Sequence, residues 1–335
     1  MLNQDAARRA AAIVARTITG ELTTPVPPIL TAFIEKMVGT ARPLGVLFYG
    51  SVVRALTADD DAASAALTEG VLDFYVIVER QSDWPRGWIS RLANRLLPPN
   101  VEYHEHTIDG MTLRAKVAIL SLDQFRRLTR PQSRDTTIWA RFSQPVRLVW
   151  VRDEPAADAL LRCIIRAVGT AAHWAAELGP AQGTPEQYWT ALYRETYAAE
   201  LRVEKSSRSK TLIAGKDARF SQLLMASWTA EGMDASVMPD GELVPHIPPA
   251  QHNAALRHWS RAQQLGRPLN VARLVKGAFT FTGGAQYLAW KIKRHSGVDV
   301  PLTPFAERHP ILCAPAVLWQ LTRKGVFSRS SPPSV

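Results

Sequence analysis

The distribution of apolar residues divides the chain into a first part of mixed strands and helices and a longer helical remainder. Short apolar runs bounded by turn residues predict strands, and Asp109-Gly110 between two of them is a strong hairpin signal. We therefore expect an α/β (α+β) unit built around a mixed sheet. The predicted helices are 5–20, 29–38, 62–67 and 122–128. The first predicted strand begins at Val46, and the other predicted strands are 71–78, 100–107, 111–120 and 146–151.

Beyond residue 155 the pattern changes to a helical period. Residues 156–225 follow it apart from a break at 179–183, and Thr184-Pro185 is typical of a helix start. Residues 226–250 predict loops or a small hairpin, and a helical C-terminal region follows. The predicted domains are an α/β domain at 1–155, a mainly helical domain at 156–265 with a winged-helix-like form as one option, a basic and aromatic region at 266–327, and a disordered polar tail at 328–335.

Composition adds constraints on size and partners. A chain of 335 residues with 46% hydrophobic residues exceeds one typical core, so several folded units are expected. The net charge of +10 favours a polyanionic partner, which could be nucleic acid, anionic lipid or a nucleotide. Cys163 and Cys313 lack partners at metal-ligand spacing, so we expect reduced thiols in a cytosolic compartment. Residues 1–30 do not resemble a signal peptide, and no apolar run predicts a spanning helix.

Candidate chemistry begins with Gly50-Ser51, which ends the first predicted strand, and Asp73, which lies near the start of the second. Glycine lets backbone N–H groups approach phosphate oxygens, and the Ser51 hydroxyl adds a donor. Asp73 would hold Mg²⁺, which commonly binds phosphates together with one or two carboxylates. An ordinary Gly-Ser turn and an edge aspartate are the alternative. The acidic run 59–61 is better explained by helix capping than by a metal site.

Two further segments are rich in groups that bind phosphate or nucleotide. Arg141 carries a planar fork suited to phosphate and Gln144 an amide, both just before Pro145; a surface loop is the alternative. Tyr197 and Glu200 share a helix face, while Arg202 projects elsewhere; exposed ion pairs would also explain this pattern. A serine-interrupted basic cluster, suited to several phosphate oxygens, follows at Lys205, Arg208 and Lys210.

A third segment, residues 270–296, contains basic residues and aromatic rings but no Asp or Glu. This mixture fits an anionic bilayer surface, where rings lie at headgroup level and cations meet phosphates. Single-stranded nucleic acid, or an amphipathic helix with a solvated basic face, would fit the same composition. The candidate membrane-association residues are Lys276, Trp290, Lys291, Lys293 and Arg294.

In this order, the segments from about Gly45 to His295 resemble the mitochondrial-type phosphatidate cytidylyltransferases, the translocator assembly and maintenance family of CDP-diacylglycerol synthases. Their collinear order supports the resemblance, since chance matches would not keep sequence order. The similar positions are Tyr49-Gly50-Ser51 with the family's Y-G-S-G, Val71 to Phe74 with its hydrophobic-Asp-Phe strand, Asn100 to Tyr103 and Leu113 to Val117 with its N-V-Y-Y and I-K-Y-G-V hairpin, Arg141 and Gln144 to Val146 with its G-R-x-Q-K-P-V, Tyr197, Glu200 and Arg202 with its S-Y-x-G-D-x-R-M, and Lys276-Gly277 with its K-G segment.

The chain also departs from the family pattern. Val52 replaces the second glycine, Glu200 replaces an aspartate, and either Arg114 or Lys116 fills the hairpin lysine position. Tyr75 stands where many nucleotidyltransferases carry the second aspartate of Asp-x-Asp, so Asp73 is the metal ligand that the opening motif supplies.

The resemblance implies a nucleotidyltransferase of the superfamily that transfers CMP from CTP to phosphatidic acid. It implies Mg²⁺ as cofactor, a cytoplasmic protein peripheral on the inner membrane face, and no nucleic acid partner. Gly50 and Ser51 would hold the triphosphate, with the basic residues above on phosphates and Gln144 or Tyr197 orienting the nucleotide. Two alternatives stay open: transfer to another acceptor, such as a sugar phosphate, a protein hydroxyl or an RNA end, and a non-catalytic basic module that binds nucleic acid.

Overall fold

A computed structural model describes residues 4–56, 66–199, 213, 215–280, 283, 284, 286, 287, 289 and 290. Within them the chain is a mixed α/β protein, as the sequence predicts. The helices are α1 (Gln4–Leu22), α2 (Pro28–Val38), α3 (Ser51–Ala55), α4 (Trp88–Leu96), α5 (Leu122–Leu128), α6 (Thr137–Phe142), α7 (Glu154–Leu178), α8 (Pro185–Ala199), α9 (Asp217–Ala230) and α10 (Pro249–Thr280); the strands are β1 (Gly45–Tyr49), β2 (Leu72–Val78), β3 (Asn100–Ile108), β4 (Met111–Ser121), β5 (Arg147–Val151), β6 (Ala235–Val237) and β7 (Leu243–Pro245).

Five strands form one mixed sheet in the order β3-β4-β2-β1-β5. Strand β2 pairs antiparallel with β1 and parallel with β4, while β3 and β5 pair antiparallel at the two edges. The predicted hairpin at Asp109-Gly110 is confirmed, and both of its residues adopt positive φ angles. In register, Tyr49 lies opposite Asp73 and Asp73 beside Lys116. Three polar or aromatic side chains are thereby aligned across the middle of the sheet.

Each face of the sheet has its own apolar core, because successive strand residues point to opposite faces. One face carries residues such as Phe48 and Phe74 and is covered by α2 and α3. The other carries Leu47, Tyr75 and Ile77 and packs against the helices that precede and follow the sheet. The second core continues without interruption from the sheet into α7, α8 and α9.

The helical remainder follows the predicted pattern where it is described, with α7, α8 and α9 separated by breaks and β6 and β7 forming the small hairpin. Helix α9 extends to Ala230, slightly past the predicted limit, and α10 runs through residue 265. The domain limits at residues 155 and 265 stay predictions, because a continuous core also forms between closely packed domains. Residues 328–335 lie outside the described residues.

Two elements differ from the sequence expectation. Residues 137–142 form helix α6, in which Trp139 and Phe142 are fully buried, so the surface-loop alternative for the Arg141 segment is wrong. Helix α4 is not among the predicted helices, although its apolar residues recur at helical spacing; unlike a core-facing stripe, they are exposed to solvent. Among the described residues, no helix is both long enough and apolar enough to cross a bilayer.

Candidate functional site

A cavity of about 300 Å³ opens where β1 ends and β2 begins, on the face of the sheet that carries Tyr75. Its volume is at the lower end of the range for small-molecule sites. It brings together seven residues that the sequence predicts for the site, drawn from four separate segments of the chain. The lining residues are Tyr49, Gly50, Ser51, Arg54, Asp73, Tyr75, Pro99, Val101, Lys116, Ala118, Arg141, Gln144 and Tyr197.

The floor of the cavity is formed by Gly50 and the Asp73 carboxylate. Strand β1 ends at Tyr49, and Gly50 turns the chain into α3 with φ of 96° and ψ of −160°, a conformation that favours glycine. A Cβ at Gly50 would lie 2.9 Å from Oδ2 of Asp73. The missing side chain therefore leaves room for the carboxylate directly beside the turn. Ser51, the first residue of α3, is exposed at the same point.

Lys116 brings a cation to the strand adjacent to Asp73. It pairs with Asp73 in the parallel β2–β4 register. It points to the same face as Ala118, which lies two positions further along the strand. Its Nζ lies 4.4 Å from the centre of the Tyr287 ring, a cation–π contact. Arg114 also carries a charge on β4 but bonds to Glu105 at 3.1 Å. Of the two candidates for the hairpin lysine position, Lys116 is the residue that lines the cavity.

Helix α6 and the turn after it supply the opposite wall. Arg141 Nη1 donates a hydrogen bond to the Tyr75 hydroxyl at 2.9 Å, which directs the guanidinium toward β2. Gln144 Nε2 donates to the Ala140 carbonyl at 3.2 Å, and its Oε1 accepts from Arg54 Nη1 at 3.4 Å. The side-chain amide of Gln144 is thus held between α6 and α3. These contacts orient two guanidinium groups around the cavity.

Tyr197 reaches the cavity from the last turn of α8 and is the one member of its predicted segment that the structure describes. The other members are outside the described residues, so their part in the site stays a prediction. They are Glu200, Arg202, Lys205, Arg208 and Lys210.

The residues predicted for membrane association occupy a different environment where they are described. Lys276 Nζ donates to the carbonyl of Leu97 at 2.7 Å, to the carbonyl of Pro99 and to Asn100 Oδ1 at 3.0 Å. Burial, and then the charge of Arg273, lower the pKa of Lys276 to about 8. This ammonium is therefore used inside the protein, at the entry to β3. Membrane association through Lys276 stays a prediction.

Trp290 packs near the β3–β4 hairpin rather than extending from the body of the protein. Its ring lies 5.7 Å from the guanidinium carbon of Arg114 and stacks with Tyr287 at 6.2 Å. Tyr287 in turn contacts Tyr103 on β3. Membrane association through Trp290 also stays a prediction, and Lys291, Lys293 and Arg294 are outside the described residues.

The charges around the cavity are suited to a phosphorylated ligand with a divalent cation. Arg54, Lys116 and Arg141 are cationic, and Asp73 is the one carboxylate among the described lining residues. Within the described part of the chain, no cluster of three or more His, Cys, Asp or Glu side chains could hold a metal by itself. Mg²⁺ does not need such a cluster when phosphates complete its shell. Asp73 is the lining carboxylate that could hold such an ion.

Sequence reasoning did not assign a site role to Arg54 or Tyr75, although both line the cavity. Arg54 could have been found from its spacing, because a residue three positions after Ser51 on a helix lies on the same side. Tyr75 could have been found from the strand period, since it shares a face with Asp73. Pro99 carried no signal of its own, and only the position of β3 in the sheet brings it and Val101, a residue of the Asn100 to Tyr103 segment, to the cavity.

No protein-family model matches this sequence, and no curated protein matches it significantly. Among solved structures, the chain is similar to a nucleotidyltransferase-like protein from Exiguobacterium sibiricum, with 13% sequence identity over 89% of this chain and 91% of that chain. The TM-score of the superposition is 0.26. A superposition this loose transfers neither a fold nor an activity.

Proposed function

We propose that this protein is a nucleotidyltransferase that transfers CMP from CTP to phosphatidic acid, forming CDP-diacylglycerol and pyrophosphate. The observation that carries the proposal is the cavity in which Gly50, Ser51, Asp73 and three cationic side chains converge. The choice of CTP as the nucleotide and of a lipid as the acceptor follows from the family resemblance of the motifs, nine of whose residues line the cavity.

The proposed reaction depends on positioning and charge rather than on an acid–base pair. An oxygen of the acceptor phosphate attacks the α-phosphorus of the triphosphate in line, the new P–O bond forms, and the bond to the pyrophosphate oxygen breaks. A phosphate monoester is already ionised near neutral pH, so no residue has to remove a proton from it. Holding the two phosphates in line supplies a large part of the acceleration.

Each side of the cavity has a separate task in this scheme. The backbone at Gly50 and the Ser51 hydroxyl would contact the triphosphate from the end of β1. Arg141, held by Tyr75, and Lys116 would neutralise charge that accumulates on the leaving pyrophosphate. Asp73 would hold Mg²⁺, which when bound polarises the phosphoryl group and offsets the charge of the triphosphate.

The decisive experiment incubates the purified full chain with CTP, Mg²⁺ and phosphatidic acid in detergent and measures CDP-diacylglycerol by mass spectrometry. We expect CDP-diacylglycerol from the wild-type protein and at least a hundredfold lower rate from Asp73→Asn, because the metal would lose its protein carboxylate. Asp158→Asn, on α7, is the matched control, since that carboxylate is exposed and lines neither the cavity nor any other described pocket.

Three results would contradict the proposal in different ways. Absence of CDP-diacylglycerol from wild-type protein would exclude the lipid acceptor under these conditions. Transfer to a sugar phosphate, a protein hydroxyl or an RNA end, measured in parallel, would retain nucleotidyl transfer with another acceptor. Salt-sensitive binding to a polynucleotide without CTP turnover would instead identify a nucleic-acid-binding module.

A further inference from the structure

Helix α4 presents its apolar side to solvent. Trp88, Ile89, Leu92 and Leu96 are between 48% and 75% exposed, and at 100° per residue they occupy an arc of about 100°. A surface helix of a globular protein normally turns such a stripe toward the core. We call these four side chains the α4 stripe. Clustered exposed apolar residues of this kind mark interaction surfaces.

The opposite side of α4 is anchored by polar contacts that fix the rotation of the helix. Asn94 is buried, and its Nδ2 donates to Gln81 Oε1 at 2.7 Å and to the Ile119 carbonyl at 3.0 Å. Its Oδ1 accepts from the Asn100 N–H at 2.9 Å, while Gln124 Nε2 donates to its carbonyl at 2.7 Å. Rotating the stripe inward would break this buried network, and unsatisfied buried polar groups are costly. The outward orientation is therefore built into the fold.

A groove rich in arginine adjoins the α4 stripe. Its volume is about 860 Å³, and Arg95, on the flank of α4 next to the stripe, is one of its lining residues. Glu79 and Asp123 are the carboxylates among the described lining residues, so positive charge predominates. We call its five arginines the arginine groove; they are Arg80, Arg95, Arg126, Arg127 and Arg130.

We propose that the α4 stripe and the arginine groove form one surface that docks on an anionic phospholipid bilayer. The apolar side chains would enter the boundary between headgroups and acyl chains, with Trp88 at the interface that tryptophan favours. The arginines would meet lipid phosphates. This inference deepens the proposed function. Its purpose, access to a lipid acceptor, rests on that function, whereas the docking itself does not.

The position of the surface suits that purpose. Leu96 precedes Pro99 by three residues, and Pro99 lines the candidate cavity. Three residues span at most about 11 Å, so the end of the α4 stripe lies beside the cavity wall. A bilayer bound there would bring lipid headgroups close to the proposed reaction centre.

Charge argues for a bilayer rather than protein on this surface. A second copy bound through a two-fold axis would place two arginine grooves close to each other, which like-charge repulsion opposes. Residues 291–335 of this chain contain seven Lys or Arg and two Asp or Glu, so they carry the same sign as the groove. An anionic bilayer complements both the apolar and the cationic parts of the surface.

The test is flotation of the full chain with vesicles of phosphatidylcholine alone or mixed with phosphatidylglycerol, without CTP or phosphatidic acid. We expect binding to the anionic vesicles only. Leu92→Ser/Leu96→Ser should lower the vesicle partition coefficient at least tenfold, because two large apolar side chains no longer leave water. Arg126→Gln/Arg127→Gln should lower it by a similar factor.

The matched controls replace an exposed apolar residue and an exposed arginine that lie outside the α4 stripe and the arginine groove. Val237→Ser, on β6, and Arg162→Gln, on α7, replace side chains that are 58% and 71% exposed. We expect partition within twofold of wild type for both. Leu96→Ser alone, at the most exposed position of the stripe, provides a second variant if the double replacement unfolds, as judged by circular dichroism.

Unchanged flotation of the α4 and arginine variants would overturn the inference, as would equal loss in the two controls. A dimer in sedimentation velocity that the α4 variants abolish, with flotation unchanged, would identify a second copy as the occupant and also overturn it. Calorimetric binding of CTP with Mg²⁺ reports separately on the cavity. Failure of CTP binding with intact flotation would contradict the proposed function alone.

Discussion

Replacing Gly50 with alanine tests the central geometric feature of the site. The backbone there has φ of 96° and ψ of −160°, a region populated almost only by glycine, and a side-chain residue held there costs about 1–3 kcal/mol. The new Cβ would also lie 2.9 Å from Asp73 Oδ2 and 3.4 Å from Asp73 Cβ. Forcing a methyl group into occupied space adds about 1–3 kcal/mol. We therefore expect the free energy of unfolding to fall by roughly 2–6 kcal/mol.

The two contributions can be separated with a second glycine. Gly110 has φ of 77°, but a Cβ there meets no atom within 4 Å, so Gly110→Ala carries only the backbone cost. Urea unfolding of both variants shows how far Gly50→Ala exceeds the cost of a positive φ alone, and the contact with Asp73 is isolated by a double variant. In Gly50→Ala/Asp73→Ala the contact with Oδ2 is removed, so the double variant should be more stable than the sum of the single effects predicts, by about 1 kcal/mol or more.

Gly50→Ala should impair CTP turnover and CTP binding more than it impairs folding. A displaced Asp73 carboxylate changes the place where Mg²⁺ would bind, and a shift of about 1 Å in a catalytic group costs on the order of a hundredfold in rate. CTP turnover and Mg²⁺-dependent CTP binding would be measured at a temperature where Gly50→Ala remains folded. Equal stability of Gly50→Ala and Gly110→Ala, together with strict additivity in the double variant, would refute the reasoning.

Three further predictions concern charge and burial. Lys116→Ala should lower CTP turnover at least tenfold and Arg114→Ala less than threefold, because Lys116 lines the cavity and Arg114 does not. Equal losses of CTP turnover in a steady-state assay would contradict this assignment. Burial alone would raise the pKa of Glu102, but hydrogen bonds with His104 and Arg86 outweigh burial and hold this pKa below 4.5. The ionised Glu102 therefore stabilises the fold above pH 4.5, and this stabilisation is lost as the pH falls through the pKa of the folded state. In urea titrations from pH 6 to about 3, Glu102→Gln should be less stable than wild type at pH 6 and lose less stability on acidification, and parallel curves would contradict the network. Burial raises the pKa of Cys163 to about 11, so iodoacetamide at pH 8 should alkylate its peptide far more slowly in native than in urea-unfolded protein, and equal rates by mass spectrometry would contradict this.

The opening motif illustrates how much of the fold local sequence patterns determine. The strand that stops at Gly50-Ser51 and the strand that carries Asp73 are local patterns, because alternation and glycine chemistry act over a few residues. The hairpin at Asp109-Gly110 follows from the same local rules. Each of these elements is present where the sequence predicts it.

Helix α4 illustrates where local patterns fail. Its apolar residues have a helical period, but periodicity alone does not distinguish a stripe that faces the core from one that faces solvent. The buried contacts of Asn94 with Gln81 and Ile119 decide the orientation, and these residues are far apart in the chain. Lys276 is similar, since only packing shows that its ammonium is held at the carbonyls that precede β3.

The sequence by itself determined the element types of the sheet, the glycine turn and the residues able to bind phosphate or metal. These properties depend on side-chain chemistry and on neighbours close in the chain. Only the tertiary structure decided that Lys116 rather than Arg114 lines the cavity with Asp73, that Arg54 and Tyr75 join it, and that the α4 stripe faces outward. Those outcomes depend on strand register and on contacts between distant segments, because a shift of one residue in a strand moves every side chain to the other face.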